Sequence, residues 1–189
     1  MKTVIDNINI IIIKNSKFIT LLYQVEKENS VNELLKLAKK NYPKATHYCY
    51  AYIIDNLIKS SDDGEPNGTA GNPILNILQK ENINHVLCIV IRYFGGIKLG
   101  SAGLIRAYSK CTKDCLKIIE LKKGYLIELN FNYNNIKYID FLLKNINIIN
   151  KDFKGNITYK LKITIDDYTN IINDLKEKSV IKIIKEIYL

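Results

Sequence analysis

The sequence predicts an α+β protein of two domains, and three observations support that class. Nearly half of the 189 residues are hydrophobic, so the chain is long enough and apolar enough to bury a core. β-rich runs are mixed with amphipathic helices up to about residue 122. The remaining residues then predict the order βαββαβ, which is that of a ferredoxin-like domain. We therefore expect one domain over 1–122 and a second over 123–189.

Four runs predict the strands of the first domain. Residues 3–13 and 17–26 are β-rich and are separated by the turn-like segment KNSK. The run 46–55, THYCYAYIID, reads as a further strand. The run 85–94 is almost wholly apolar and β-branched, which is typical of a central strand buried on both faces.

Three helices are expected in the same domain. Ser30 is predicted to cap the first, because Glu33 follows at the capping-box spacing and Pro43 lies just after its end. The second is predicted to begin near Pro73, since proline is favoured in a first turn. The third is expected to begin near Ser101, directly after a glycine-rich loop.

The third helix is predicted to have one apolar face and one basic face. At 100° per residue, two sets of side chains fall on opposite sides. The apolar set is Leu104, Tyr108, Cys111, Cys115 and Ile119, and the basic set is Arg106, Lys110, Lys113 and Lys117. A charged stripe usually indicates a solvated face. Its position beside a glycine-rich helix start also allows a binding surface.

The second domain reads as alternating strands and helices. Strands are predicted over 125–132, 146–152 and 156–165, with a short helix, NNIKYIDFLLKN, between the first two. Asp166 or Asp167 is predicted to cap a second helix, and VIKIIKEIYL is expected to close the domain as a strand.

Charge and cysteine content limit the possible functions. The formal net charge is +9, and residues 1–123 contain 18 Lys/Arg against 11 Asp/Glu, which favours a polyanionic partner. The four cysteines are predicted to be buried free thiols. His47 and Cys49 alternate onto one strand face, which leaves open a metal site there. There is no export signal and no membrane-spanning apolar run, so we expect a cytoplasmic protein with no membrane partner.

The segment SDDGEPNGTAGNP is unusually polar and flexible for this chain. Its carboxylates, Asp62, Asp63 and Glu65, could hold Mg²⁺, could act as a general acid and base, or could bond the N–H groups of their own loop. Spacing alone favours the third interpretation. The other residues of this motif loop are Gly64, Gly68, Thr69 and Gly71.

The second glycine stretch, RYFGGIKLGSAG, predicts an anion site. A buried strand ends at Phe94, and a helix begins shortly afterwards. Unpaired N–H groups at a helix start, beside glycine turns, bind phosphate readily. The alternative is a tight strand-to-helix connection with incidental charges. No GxxxxGK[ST] or GxGxxG segment is present, so the sequence does not support nucleotide hydrolysis or nicotinamide chemistry.

Taken together, the two glycine stretches resemble the signature of the YigZ/IMPACT family. SDDGEPNGTAGNPIL, VIRYFGGIKLGSAGLIRAYS and the upstream KNSKFI and HYCYA all match, over residues 14 to 120. Ala102 departs from the family pattern, which has a glycine there. The resemblance implies a ribosomal-protein-S5-domain-2-like first domain, with helices on one face of a sheet. It also implies an order of domains similar to the last two of the translocation factor EF-G, and a role in translation.

We therefore expect a non-enzymatic, translation-related regulatory protein that binds RNA or the ribosome and has no cofactor and no evident DNA specificity. A protein partner in translation control is also possible. The predicted phosphate-binding residues are Arg92, Gly95, Gly96, Lys98, Gly100, Arg106 and Lys110. The alternative is an Mg²⁺-dependent enzyme that acts on a phosphorylated or nucleotide substrate between the two motif loops.

Overall fold

The computed structural model describes residues 1–189. The chain forms two compact units. The larger unit comprises Lys2–Glu120, and the smaller comprises Leu121–Leu189 together with Met1.

The larger unit contains a five-stranded antiparallel sheet in the order β2-β3-β6-β4-β5, and a separate two-stranded pair, β1 with β7. The first hairpin turns at Lys14 and Asn15, both at positive φ, as a two-residue turn of type I′ requires. The sequence did not predict β5 or β7, and the single strand that it predicted over 3–13 is divided into β1 and β2, which belong to different sheets. The strands are β1 Lys2–Val4, β2 Asn7–Ile13, β3 Ser16–Gln24, β4 His47–Ile54, β5 Leu57–Ser61, β6 Val86–Tyr93 and β7 Ile118–Glu120.

Helices cover both faces of this sheet. They are α1 Glu28–Asn41, α2 Gly71–Lys80 and α3 Ser101–Cys115. Alternate residues of β6 belong to two different cores: Val86, Cys88 and Val90 pack with α2 and α3, whereas Leu87, Ile89 and Ile91 pack with α1. The predicted burial of this strand on both faces is confirmed. The expectation of helices on one face only is wrong, because α1 covers the other.

The predicted start of α1 is also wrong. The helix begins at Glu28, with Lys27 at the N-cap position, and Ser30 lies inside its first turn. Glu28 accepts hydrogen bonds from Tyr52 Oη and Lys59 Nζ, each at 2.6 Å. These contacts with distant strands hold the first turn, and a local capping rule does not include them.

The smaller unit has the predicted βαββαβ order. Its sheet is antiparallel in the order β11-β8-β10-β9, and its helices pack on one core with Ile127, Leu129 and Leu161. Thr164 caps α5, and its Oγ1 accepts a hydrogen bond from the Asp167 N–H at 3.1 Å, so the predicted aspartate cap is wrong. The elements are β8 Lys123–Phe131, α4 Ile136–Leu142, β9 Asn147–Asp152, β10 Ile157–Thr164, α5 Ile165–Lys178 and β11 Val180–Tyr188.

The helices are short. The longest, α3, has 15 residues, and α1 and α5 have 14 each. A bilayer-spanning helix needs about 20 apolar residues. None of the helices meets the length and hydropathy that a membrane crossing demands.

Candidate functional site

Asp62 organises the motif loop between β5 and α2. One carboxylate oxygen accepts from the N–H groups of Ala70 and Gly71 at 2.9 and 2.8 Å, and the other from Gly68 N–H at 2.8 Å. Burial acts to raise the pKa of Asp62, but these three N–H bonds outweigh it and hold the pKa below its ordinary range. The interpretation that the loop bonds its own N–H groups is confirmed for this residue.

The other two carboxylates of the loop point elsewhere. Asp63, at positive φ, accepts from Tyr48 N–H at 2.7 Å, and its carbonyl oxygen lies 2.8 Å from His47 Nδ1. Glu65 turns inward. No group of three or more His, Cys, Asp or Glu in the chain is placed to hold a metal ion. The alternative in which Asp62, Asp63 and Glu65 together hold Mg²⁺ is not supported, because each carboxylate serves a different partner.

Glu65 and Arg92 form a buried ion pair. Their side chains are 3% and 5% exposed, and Arg92 Nη1 donates to Glu65 Oε1 at 2.6 Å. Tyr108 Oη donates to the same oxygen at 2.8 Å, and Arg92 Nη2 donates to Ser16 Oγ at 3.3 Å. Arg92 was predicted as a surface cation for phosphate. That prediction is corrected, because Arg92 is buried and its charge is paired with that of Glu65 inside the core.

Cys49 and Tyr108 tie the motif loop to α3. Cys49 Sγ donates to the Asp62 carbonyl oxygen at 2.9 Å and lies 3.3 Å from Tyr108 Oη. Burial raises the pKa of Cys49 to about 12, and burial also raises the pKa of Tyr108. All four cysteines are buried and free, as predicted. These groups are fixed, neutral parts of the core.

The glycine loop leads into α3 along a tightly packed path. A Cβ at Gly95 would overlap the Asn15 carbonyl group, and Gly95 N–H donates to Ser16 Oγ at 3.3 Å. Gly100 occupies the N-cap position at φ 69°. The first intrahelical bond is from Leu104 N–H to the Gly100 carbonyl oxygen, so the N–H groups of 101–103 have no acceptor in the chain. The Gly95 amide is thus already bonded, whereas the amides at the helix start are free. Gly96 and Lys98 are exposed.

The two motif stretches meet in one cavity of about 430 Å³. The motif loop contributes Glu65 and Pro66, and the glycine loop contributes residues between Phe94 and Gly100. We call this space the motif cavity. Its lining residues are Thr46, His47, Glu65, Pro66, Arg92, Phe94, Lys98, Leu99, Gly100, Ser101 and Leu104.

A second depression, of about 330 Å³, lies between the first hairpin and α3. We call it the basic groove, and its lining residues are Ile13, Lys14, Leu99, Gly103, Arg106, Ala107 and Lys110. Three cations line it and no acidic residue does. Arg106 is exposed, and Lys110 pairs with Asp114 at 2.7 Å. The apolar face of α3 is confirmed at Leu104, Tyr108, Cys111 and Cys115.

Sequence reasoning did not find Lys14, Ser16 or the role of Tyr108. Lys14 and Ser16 belong to KNSKFI, which the sequence identifies as a turn and as a segment that matches the family, without a role for either side chain. A lysine at the tip of a predicted hairpin gave no indication of what lies across from it. Tyr108 was read as an apolar helix residue, although a buried tyrosine usually has a partner for its hydroxyl group.

Comparison with known proteins identifies the family to which the chain belongs. Residues 14–116 match the Impact N-terminal domain family. The chain is 37% identical over 185 residues to IMPACT family member YvyE of Bacillus subtilis, covering 88% of this chain and 85% of that one. It is 31% identical over 161 residues to IMPACT family member YigZ of Escherichia coli, covering 80% and 79%. The chain therefore belongs to the IMPACT family, as its motifs predict.

A solved structure also shares the fold. The crystal structure of a protein described as hypothetical superposes with a TM-score of 0.61 over 97% of both chains, at 24% identity. At that identity the likeness concerns the fold alone. It supports a mixed α+β chain in which both units are present.

Proposed function

We propose that this protein is a translation-related regulatory protein that binds RNA or the ribosome, and that the basic groove is the contact surface. The observation that carries the proposal is the lining of that groove, where Lys14, Arg106 and Lys110 meet with no acidic residue among them. Membership of the IMPACT family supports the role in translation, which the sequence motifs imply. The unbonded N–H groups of residues 101–103 lie in the first turn of α3, one turn before Arg106.

The proposal includes an assignment of both folds. We assign residues 1–122 to the ribosomal-protein-S5-domain-2-like fold from the motif resemblance, with α1 on the second face of the sheet as a departure from it. We assign residues 123–189 to the ferredoxin-like fold. The sheet order β11-β8-β10-β9 supports the second assignment. Two such folds in this order are similar to the last two domains of EF-G, which act on the ribosome. A protein with this role works in the cytoplasm.

The chemistry of the groove suits a phosphate backbone. Exposed cations on a rigid helix attract phosphate groups from a distance and release counterions when they bind. Such contacts fix the position of a nucleic acid and do not read its sequence. The groove alone therefore predicts binding that depends strongly on salt and weakly on sequence.

Reversing two charges of the groove tests this function. The double variant Arg106→Glu, Lys110→Glu is expected to weaken RNA gel shifts and co-sedimentation with ribosomes by about tenfold or more, because both side chains are exposed and contribute charge. The control is Lys36→Glu, Lys40→Glu on α1. It has the same spacing and the same change of charge, and lies on the opposite face of the sheet.

Both double variants should unfold at the same denaturant concentration as the parent, within error, since surface substitutions have small effects on stability. Equal loss of binding in both would mean that net charge, and not the groove, is responsible. Unchanged binding in the groove variant would show that α3 presents only a solvated face.

A further inference from the structure

One wall of the motif cavity holds a buried carboxylate with an unused oxygen. Glu65 is 3% exposed, and its Oε1 already accepts from Arg92 and Tyr108. Its Oε2 accepts no hydrogen bond within the chain, and His47 Nε2 is 3.9 Å away. Because Glu65 lines the cavity, this free oxygen is an acceptor for a ligand that supplies a donor.

The neighbouring histidine offers a second acceptor. His47 Nδ1 lies 2.8 Å from the carbonyl oxygen of Asp63. Because a carbonyl oxygen only accepts, Nδ1 carries the proton, and in the neutral form of the ring Nε2 has a lone pair. Glu65 Oε2 and His47 Nε2 therefore stand side by side as two acceptors.

The rest of the lining is partly apolar and partly cationic. Pro66, Phe94 and Leu99 are its apolar residues, and Phe94 is 46% exposed. Lys98 and Ser101 also line the cavity and are exposed, and the Ser101 N–H makes no hydrogen bond within the chain. Since Arg92 neutralises Glu65, the remaining charge of the lining is positive.

We propose that the motif cavity binds one guanosine monophosphate unit, either as a free nucleotide or as one unstacked nucleotide of an RNA. A guanine edge presents two adjacent N–H donors, which match the two acceptors of the cavity wall, Glu65 Oε2 and His47 Nε2. The flat base packs against Phe94, and the phosphate lies by Lys98 and the start of α3. In its RNA form this inference rests on the proposed function, because the same RNA would occupy the basic groove.

Other ligands with two donors fit the cavity less well. An arginine side chain also presents paired N–H groups, but its positive charge would meet Arg92 and Lys98. Adenine presents a donor beside an acceptor, so one acceptor of the wall would face a lone pair. Uracil and cytosine each present only one donor group on their pairing edge. The pattern of acceptors therefore favours guanine over the other bases.

Calorimetric titration of the full chain with free nucleotides tests the pocket directly. Guanosine monophosphate should bind with a dissociation constant of about 1 mM or lower. Inosine monophosphate, which lacks one donor, should bind about tenfold more weakly, and adenosine monophosphate about 100-fold more weakly. Binding with no preference among the three nucleotides would overturn the proposal.

Two variants separate the pocket from general charge. Phe94→Ala should weaken guanosine monophosphate binding about tenfold, through loss of packing on the base. Because Phe94 is half exposed, this variant should remain folded. The control is Phe141→Ala, which removes a 74% exposed ring from α4 and should leave binding unchanged. Glu65→Gln should abolish the preference for guanosine, and its fold is checked by unfolding because it disturbs the Arg92 pair.

Oligonucleotides of uridine with and without one central guanosine distinguish the two sources of ligand. A preference for the guanosine-containing oligonucleotide that Phe94→Ala removes supports recognition within RNA, even if the free nucleotide does not bind. Equal binding of both oligonucleotides, with no response to free nucleotide, overturns the pocket and leaves the basic groove intact. Binding of free nucleotide without any RNA binding overturns the proposed function and keeps the pocket.

Discussion

The motif cavity and the basic groove use the same helix in opposite ways. On the buried side of α3, Tyr108 donates to Glu65, which also accepts from Arg92, so the charges of this pair are neutralised inside the core. On the exposed side, Arg106 and Lys110 lie in solvent, and only Lys110 has an ion-pair partner. One side therefore fixes geometry, and the other supplies charge.

The two regions should respond differently to substitution of their charged residues. Buried ionic groups interact strongly and lose much stability when one partner is removed. Exposed cations are screened by salt and contribute little to stability, but they attract a distant polyanion. Substitutions of the buried Glu65–Arg92 pair should thus reduce stability first, whereas substitutions of the exposed groove cations should mainly reduce binding.

The largest expected effect is at Arg92. Arg92→Met keeps a long apolar side chain but leaves Glu65 buried without its cation, so the free energy of unfolding should fall by about 3–5 kcal/mol. Urea denaturation followed by circular dichroism measures this loss. The matched control is Arg106→Met on the exposed side, which should change stability by less than about 0.5 kcal/mol. Similar losses in both variants would remove the distinction between the regions.

A smaller effect is expected at Asp62. Asp62→Asn should lower the free energy of unfolding by about 2 kcal/mol at neutral pH, because the amide offers one acceptor oxygen and turns a donor toward backbone N–H groups. The folded pKa of Asp62 lies below its ordinary value of 3.8, so the carboxylate stabilises the fold above that pH. This contribution is lost as the pH falls through the folded pKa.

The stability gap between Asp62→Asn and the parent should therefore be widest near neutral pH and narrow below pH 3.8. Equilibrium unfolding at a series of pH values measures it. Asp114→Asn provides the comparison, since that carboxylate is exposed and pairs only with Lys110. A gap that is constant with pH would show that the three N–H bonds do not depend on the charge of Asp62.

The smallest effect is expected at Ala102, where the family pattern has a glycine. Ala102 is exposed in the first turn of α3, so Ala102→Gly should lower stability by at most about 1 kcal/mol and leave RNA affinity unchanged. Thermal melting and gel shifts measure the two quantities. A large gain in affinity would indicate that the methyl group of Ala102 hinders approach to the helix start.

Sequence patterns predicted the elements whose signal is local and periodic. The βαββαβ order, β6 and the apolar face of α3 follow from alternation and helical spacing, and the structure confirms them. β5 was missed because LIKSS is short and mostly polar, and its pairing with β4 across Asp55 and Asn56 defines it as a strand. The cap of α1 was misplaced because Tyr52 and Lys59 hold its first turn.

The candidate site was predicted in its location but not in its internal chemistry. Two long motifs identified the loops that line the motif cavity. Spacing could not reveal that Glu65 and Arg92, 27 residues apart, would neutralise each other. An arginine inside the apolar run VLCIVIRYF was the available signal, since a buried cation needs a partner. Lys14 reaches the basic groove only because the first hairpin folds toward α3.

The most direct test of the central claim is the salt dependence of RNA binding. The affinity of the parent chain for a uridine oligonucleotide should fall linearly with salt on logarithmic axes. If Arg106 and Lys110 each contact one phosphate, the slope for Arg106→Glu, Lys110→Glu should be shallower by about 1.4. Parallel slopes for the parent and the variant would contradict the account, because they would show that the basic groove neutralises no phosphate.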